Sequence, residues 1–221
     1  MSEPTAIILS GAGRYADPWH PFARTSARIA GILQSTGLRA DVVPDVDEAL
    51  EGWGSSGVPH LVVANLGRPQ DEGAVPETTA ARRGLEKLLE TAPVLAFHAS
   101  ANAFHDVPAW TRRIGGRWVP GVSHHPPLGQ TLLEQTSQSF LEAERTFVVT
   151  DESYRGLEVR SDVCVHFEHV DEAGGRFPAL WTTEKNGLRA AYDSLGHDER
   201  SFEDRGHVRA LRAVVRWLVE A

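Results

Sequence analysis

Three histidines follow apolar segments that are typical of buried strands, and they are the strongest sign of chemistry in this sequence. His20 lies in the loop after TAIILS, His98 directly follows PVLAF, and His197 lies in the late loop GHDERSFED. In an open parallel sheet, ligands bind outside the carboxyl ends of the strands. The three loops are therefore predicted to meet at one site, where imidazoles can exchange protons near neutral pH or bind a metal ion.

His98 and His197 are predicted to be catalytic, together with the carboxylate of Glu152. His98 stands where a strand turns into a helix, and the helix dipole there lowers the pKa of an imidazole and keeps the ring neutral. A neighbouring acid orients a histidine and makes it more basic, which is the role predicted for Asp198 and Glu199 beside His197.

The other side chains of these loops are predicted to contact a small-molecule substrate. Zinc is the cofactor considered, with His98, His197 and Glu152 as candidate ligands. No short-range ligand pattern such as H-E-x-x-H occurs, so a metal site depends on residues that converge in space. The residues predicted to bind substrate are Gly11, Gly13, Arg14, Trp19, His20, Asn102, Phe104, Tyr154, Asp198 and Glu199.

The first loop also fits a dinucleotide-binding pattern. Gly11, Gly13 and Ala16 match G-x-G-x-x-A after a predicted strand. However, Pro18 pushes Asp17 away from helical angles, and the Asp17 carboxylate would repel a pyrophosphate. The glycines otherwise turn the chain or line a polar pocket.

Three further residues have alternative interpretations. Ser100 occupies the place of a nucleophile on a strand-to-helix elbow, but both glycines of G-x-S-x-G are missing. Cys164 lies in an alternating strand pattern and is predicted to be an inert core residue. His124-His125 looks like a metal pair, but adjacent side chains rarely point the same way, and the following prolines predict a rigid loop.

Composition excludes several classes of protein. The 221 residues include 22 Lys and Arg and 30 Asp and Glu, and the net charge of −8 disfavours a nucleic-acid partner. One cysteine excludes a disulfide framework or a Cys-rich metal site. No apolar run approaches the roughly 20 residues of a membrane span, and the acidic N-terminus is unlike a signal peptide, so a cytoplasmic protein with no membrane partner is expected.

Strands and helices are predicted to alternate in the first half, which favours a parallel sheet with helices on both faces. The second half shows short strand-like segments, then a hairpin around KNG and a C-terminal helix. Without a repeat or linker, residues 1–221 are predicted to form one α/β domain. The predicted strands are 5–10, 39–43, 59–65, 93–97, 117–122, 145–149, 157–159, 163–167, 179–183 and 188–192, and the predicted helices are 21–35, 46–53, 78–91, 101–114 and 206–221.

Several motifs together resemble the trehalose-utilisation (ThuA-like) family. GAGRY with PWHPF is similar to the first loop of that family, and HASANAF and IGGRW are similar to its central motif. DESY is similar to its D-E-x-Y motif, and PALWT and SLGHD look like its closing strands. The order and spacing of these short motifs carry the resemblance, which runs from about residue 5 to residue 220.

The resemblance implies a flavodoxin-like fold of the class I glutamine amidotransferase type. His98 stands where those enzymes carry a nucleophilic cysteine, and an imidazole does not readily replace a thiolate that forms a thioester, so glutamine hydrolysis is not expected. The family is associated with growth on trehalose and related disaccharides, which implies a sugar or keto-sugar ligand stacked on Trp19, Phe104 or Trp181. A sugar-processing enzyme, a zinc-dependent hydrolase or lyase, and a non-catalytic binding module stay open as functions, and a homodimer is the expected assembly.

Overall fold

The computed structural model describes residues 4–55, 57–69, 71 and 73–220, and its first half alternates strands with helices as predicted. The elements of this half are β1 (Thr5–Ser10), α1 (Phe22–Gln34), β2 (Arg39–Val43), α2 (Val46–Glu51), β3 (Leu61–Asn65), α3 (Thr79–Thr91) and β4 (Val94–Phe97). The strands lie side by side in the order β2, β1, β3, β4, and each pair is parallel.

The second half extends the same sheet with antiparallel strands. β11 pairs with β4 in parallel, and β10, β9, β6 and β7 follow in this order, each antiparallel to its neighbour. Within the described residues the sheet has nine strands, and β5 and β8 form a separate pair. The elements are α4 (Pro108–Ile114), β5 (Gly116–Arg117), β6 (Gly129–Gln135), β7 (Thr146–Asp151), β8 (Glu158–Val159), β9 (Cys164–Val170), β10 (Arg176–Lys185), β11 (Leu188–Asp193) and α5 (Arg205–Val219).

Two apolar clusters hold the helices against the two faces of the sheet. Side chains of a strand alternate between faces, so in β3 Leu61 and Val63 face the cluster that contains α1 and α5, whereas Val62 and Ala64 face the cluster that contains α2, α3 and α4. The α/β fold with helices on both faces is therefore confirmed. The sheet is mixed, with four parallel and four antiparallel pairs among the described strands, because the chain after α4 returns through hairpins.

The carboxyl ends of β1, β3, β4 and β11 lie at one edge of the sheet because these strands are parallel. Four successive antiparallel pairings separate β11 from β7, so β7 runs in the same direction as β11 and also ends at this edge. The loops after β1, β4, β7 and β11 carry the candidate residues. The topology alone thus places four distant segments at one edge.

Three sequence predictions are wrong in detail. Residues 101–114 do not form one helix: a 3-10 turn covers His98–Asn102, and α4 begins only at Pro108, which fits the first turn of a helix. Of residues 117–122, only Arg117 belongs to a strand. The strand β6 was missed because its GQTLLEQ sequence carries few strand-forming residues. Among the described residues, no helix combines the length and the apolar character that crossing a membrane requires.

Candidate metal centre

His98 is held in a strained conformation directly after β4. Its φ is +44°, a left-handed value that is uncommon for a residue with a side chain and that tends to occur at functional sites. The ring is buried, and Nδ1 lies 2.7 Å from the carbonyl oxygen of Ser194, to which it must donate. In the tautomer with its proton on Nδ1, Nε2 carries a lone pair that can accept a hydrogen bond or bind a metal ion. The hydroxyl of Tyr154 lies 2.9 Å from this nitrogen.

His20 is oriented by a carboxylate three residues earlier in the chain. Both oxygens of Asp17 lie 2.8 Å from His20 Nδ1, and Oδ1 also accepts from the backbone N–H groups of Trp19 and His20. Nε2 of His20 is buried and has no hydrogen-bond partner. Burial lowers the pKa of His20, and this outweighs the opposing hydrogen bond from Asp17. The neutral ring therefore presents an unused lone pair to the interior of the site.

Glu152 lies between two of the histidines. Its Oε2 is 3.4 Å from His98 Nε2 and 3.4 Å from His197 Nδ1, which is an ion-pair distance without good hydrogen-bond alignment at His197. Burial raises the pKa of Glu152, but the interactions with His197 and His98 outweigh it and hold the pKa well below its usual range. The carboxylate therefore stays ionised, and its negative charge in turn raises the pKa of His197 by favouring the protonated ring.

These four side chains converge as the positions of the loops predict. One potential ligand atom from each of His20, His98, Glu152 and His197 lies within 4.8 Å of the other three. The rings of His20 and His197 are 4.9 Å apart between centroids, and those of His20 and His98 are 5.0 Å apart. Imidazole nitrogens and a carboxylate oxygen are typical ligands of zinc and similar divalent ions. The outer hydrogen bonds to Asp17 and Ser194 are the kind that orient metal-binding histidines.

The cluster lines a cavity of about 660 Å³. Trp19, which is 65% exposed, also lines this cavity, together with Trp118, Asn102 and Tyr154. Burial raises the pKa of Tyr154 well above its usual value, so its hydroxyl remains a proton donor at neutral pH. The cavity therefore combines aromatic surfaces with hydrogen-bonding groups. Asp17, Arg68, Ala99, Ala101 and His125 complete the lining.

The structure places most of the first-loop residues outside this cavity. A Cβ on Gly11 would lie 2.6 Å from the ring of Phe22, so this glycine is needed for close packing. Gly13 and Arg14 line a separate depression, and Arg14 pairs with Asp71 at 2.6 Å. The dinucleotide interpretation also fails, because β1 leads into a three-residue 3-10 turn and α1 begins only at Phe22.

Two aromatic residues predicted to stack on a sugar lie in the core instead. Phe104 is fully buried against Tyr15, and the buried Trp181 donates its indole N–H to the carbonyl of Ile114 at 2.7 Å. The buried hydroxyl of Ser100 donates to the carbonyl oxygen of Ala64, which leaves it no role as an exposed nucleophile.

Asp198 and Glu199 also lie outside the cavity lining. Asp198 caps the 3-10 turn Glu199–Phe202 and pairs with Arg200, and Glu199 forms an ion pair with Arg24 at 2.9 Å. They stabilise the loop that carries His197 and do not orient its ring. Cys164 is the first residue of β9 and is partly exposed, so it is not a core residue. Its partial burial nevertheless raises the pKa of the thiol, which leaves it protonated.

Sequence reasoning missed His125, Trp118 and the role of Asp17. Nδ1 of His125 lies 3.3 Å from Oε1 of Glu152, although the His124-His125 pair gave no metal prediction. Only His125 reaches the cavity, because a bridge between His124 and Arg155 sets the orientation of this loop. The role of Asp17 could have been predicted from its spacing, because an Asp three residues before a histidine can place its carboxylate against the imidazole ring.

Comparison with solved structures places this architecture among known folds. A protein described as ThuA-like from Parabacteroides merdae has a TM-score of 0.74 at 18% identity, with 99% of this chain and 90% of that chain covered. A second protein so described, from Bacteroides uniformis, has a TM-score of 0.72 at 19% identity, with 99% and 93% covered. The cold-adapted β-galactosidase of Rahnella sp. R3 has a TM-score of 0.63 at 13% identity, with 98% of this chain but only 31% of that chain covered.

No protein-family model matches the chain, and no curated protein matches its sequence. The likeness to the two bacterial structures nevertheless extends over almost the whole chain. The resemblance in the sequence motifs is therefore confirmed at the level of the fold: this chain has the fold of the ThuA-like proteins.

Proposed function

We propose that this chain is a divalent-metal-dependent hydrolase or lyase that acts on a sugar-like small molecule. The observation that carries the proposal is the unpartnered, buried Nε2 of His20, which faces the same point as His98, Glu152 and His197. Leaving a polar atom buried without a partner is costly. A bound cation would satisfy this nitrogen and would neutralise the ionised Glu152.

The donor set favours zinc or a similar transition ion. Three imidazoles and one carboxylate are nitrogen-rich, whereas magnesium and calcium prefer oxygen ligands. His20 and His98 already have the tautomer that such an ion requires, since each donates its Nδ1 proton to an outer acceptor. A bound ion of this class would polarise a carbonyl or hydroxyl oxygen of the substrate.

The chain's own residues would bind and orient the substrate. Tyr154 offers a neutral hydroxyl inside the cavity, and Asn102 offers an amide that can pair with hydroxyl groups. Trp19 and Trp118 present indole surfaces of the kind on which the apolar faces of sugars pack. These features support a polyhydroxylated ligand such as trehalose or a keto-disaccharide.

Glutamine hydrolysis has no support at this position. His98 occupies the turn after β4, and the thiol of Cys164 lies in β9 against the carbonyl of Gln138. We also propose that the chain belongs to the ThuA-like family and has a role in carbohydrate use in the cytoplasm. These statements are proposals because the structural comparisons establish only the fold.

Metal analysis tests the first part of the proposal. Protein purified without a histidine tag is expected to bind about one equivalent of Zn²⁺ or Co²⁺, measured by elemental analysis after dialysis. His20→Ala and His197→Ala are expected to lose this binding, whereas His105→Ala, which alters an exposed histidine, retains it. Wild-type protein that binds no more metal than the His20→Ala variant would refute the metal centre.

A ligand screen tests the second part. The metal-loaded protein is expected to gain thermal stability with trehalose or a keto-disaccharide and none with glutamine. Turnover of the stabilising sugar would identify the enzyme, whereas stabilisation without turnover would favour the binding module. Absence of any stabilisation by sugars would refute a carbohydrate ligand.

A further inference from the structure

We propose that Asp151 is the positioning residue of the metal centre and fixes Glu152 and His197 relative to each other. The inference rests on the proposed function, because it concerns how this chain holds the donors of that centre. Asp151 is the last residue of β7 and is 1% exposed. It lies immediately before Glu152 in the chain.

The carboxylate of Asp151 bridges the two segments that carry these donors. Oδ1 accepts from the backbone N–H of Glu152 at 2.7 Å, and Oδ2 accepts from the backbone N–H of Gly196 at 2.8 Å. Gly196 in turn immediately precedes His197. One side chain is therefore bonded to the ligand residue that follows it and to the residue directly before the second ligand.

The loop conformation at Gly196 makes this bridge accessible. Its φ is +123°, a value that other residues rarely adopt, although a Cβ there would find ordinary contact distances of 3.5 Å and more. The requirement for glycine is therefore conformational. The turn directs the Gly196 N–H towards Asp151.

A second layer of buried groups holds the bridge in place. The hydroxyl of Ser201 donates to Oδ2 of Asp151, and the Ser201 carbonyl accepts from Nδ1 of His207. Nε2 of His207 lies 2.8 Å from Asp193, and all four side chains are buried. We call Asp151, Ser201, His207 and Asp193 the latch network.

The latch network also holds the segment whose carbonyl group orients His98. Asp193 accepts from the backbone N–H of Leu195 at 3.0 Å, and the intervening Ser194 provides the carbonyl that orients His98. The segment from 193 to 201 is thus tied at both ends, and its middle carries His197. Three of the four donors depend on this one buried network.

Among the described residues, Asp151 accepts hydrogen bonds from two backbone N–H groups and one hydroxyl, and none of these donors carries a charge. A buried carboxylate is costly compared with an apolar side chain. Here its two oxygens accept from three donors at once. An Asn side chain has only one oxygen, so its NH₂ group would lie against one of these donors.

The test compares zinc affinity with the stability of the metal-free protein. Asp151→Asn and Ser201→Ala weaken the bridge. Ser26→Ala is the matched control, because Ser26 is equally buried and its hydroxyl bonds Ser10 at 2.8 Å and Asn65 at 2.9 Å instead of a member of the latch network. Loss of such outer partners typically costs 10–100-fold in metal affinity. We expect the Kd for Zn²⁺, measured by chelator competition, to rise about 10–100-fold in Asp151→Asn and about 3–10-fold in Ser201→Ala.

A purely structural role predicts a different result. In that case Ser201→Ala and Ser26→Ala would lower the melting temperature of the metal-free protein alike and leave the Kd unchanged. Wild-type affinity within twofold in a folded Asp151→Asn or Ser201→Ala variant overturns the inference while the metal centre stands. If Asp151→Asn does not fold, Ser201→Ala decides. Wild-type protein that binds no Zn²⁺ overturns both proposals.

Discussion

Replacing Asp17 by Asn should weaken metal binding while it preserves the shape of the first loop. Oδ1 of Asp17 accepts from the backbone N–H groups of Trp19 and His20 at 3.0 and 2.9 Å, and an Asn oxygen can keep both bonds. The same oxygen lies 2.8 Å from His20 Nδ1 and can still accept its proton. The substitution therefore removes one negative charge and places an NH₂ group where Oδ2 lies 2.8 Å from the same ring nitrogen.

The magnitude follows from the burial and geometry of the pair. The side chains of Asp17 and His20 are only 6% and 13% exposed, so solvent screens the interaction weakly. The carboxylate raises the electron density of the ring, and removing such a partner typically costs 10–100-fold in metal affinity, or about 1.4–2.8 kcal/mol. We expect the Kd for Zn²⁺ to rise by this amount. The free energy of unfolding of the metal-free protein should fall by no more than about 1.5 kcal/mol, because the three bonds to Oδ1 persist and only the contact with Oδ2 is lost.

Chelator competition at pH 7.5 on untagged protein measures the Kd, and urea unfolding of the metal-free protein measures stability. Asp45→Asn is a matched control, because Asp45 caps α2 through a 3.0 Å bond to Glu48 N–H and Asn caps equally well. The control should leave both quantities unchanged. A folded Asp17→Asn variant with the Kd of the wild type would show that the carboxylate only shapes the loop, and the reasoning about His20 would fail.

Three further predictions concern stability and ligand binding. Burial lowers the pKa of His166 to about 4 and of His169 to about 3, so these two histidines take up protons in the unfolded chain before they do so in the folded protein as the pH falls below about 6.5. The free energy of unfolding should therefore drop by up to about 2.7 kcal/mol per pH unit between pH 6 and 4. Urea titrations of the His166→Gln variant should show about half this slope, because only one of the two histidines is left. Gly84→Ala should destabilise the protein by about 3 kcal/mol in the same assay, because its Cβ would lie 1.7 Å from a carbonyl oxygen of α2, whereas Gly31→Ala, with open space around it, should not destabilise. Trp19→Ala should reduce the affinity for a stabilising disaccharide about tenfold in calorimetry and leave the melting temperature unchanged, because the indole is mostly exposed; an unchanged affinity would remove Trp19 from the site.

The parallel half of the fold was predictable because its central strands β3 and β4 are buried on both faces. Residues 61–65 (LVVAN) are buried throughout. An uninterrupted apolar segment of this kind between amphipathic helices is readily predicted to be a buried parallel strand. The antiparallel half was harder to read. In β6 only Thr131 and Leu133 are buried, and a strand with so few buried side chains lacks a strong apolar pattern.

The histidine site was predictable in part, because the carboxyl-edge rule applies to β1, β4 and β11 regardless of side-chain detail. The rule places His20, His98 and His197 at one edge, as the structure has them. It does not say which nitrogen faces the centre. That depends on Asp17 and Ser194, and the second of these contacts joins residues 96 positions apart.

Glu152 shows where sequence reasoning reaches its limit. Its place at the carboxyl edge depends on an even number of antiparallel reversals between β11 and β7, and β6 was the strand that the sequence did not reveal. Without β6 the count is odd, and Glu152 would be assigned to the opposite edge of the sheet. The sequence motif suggested Glu152, but only the complete strand order explains why Asp151 can bond Gly196 and why Glu152 lies beside the histidines. The geometry of the site is therefore a consequence of the antiparallel extension as much as of the parallel core.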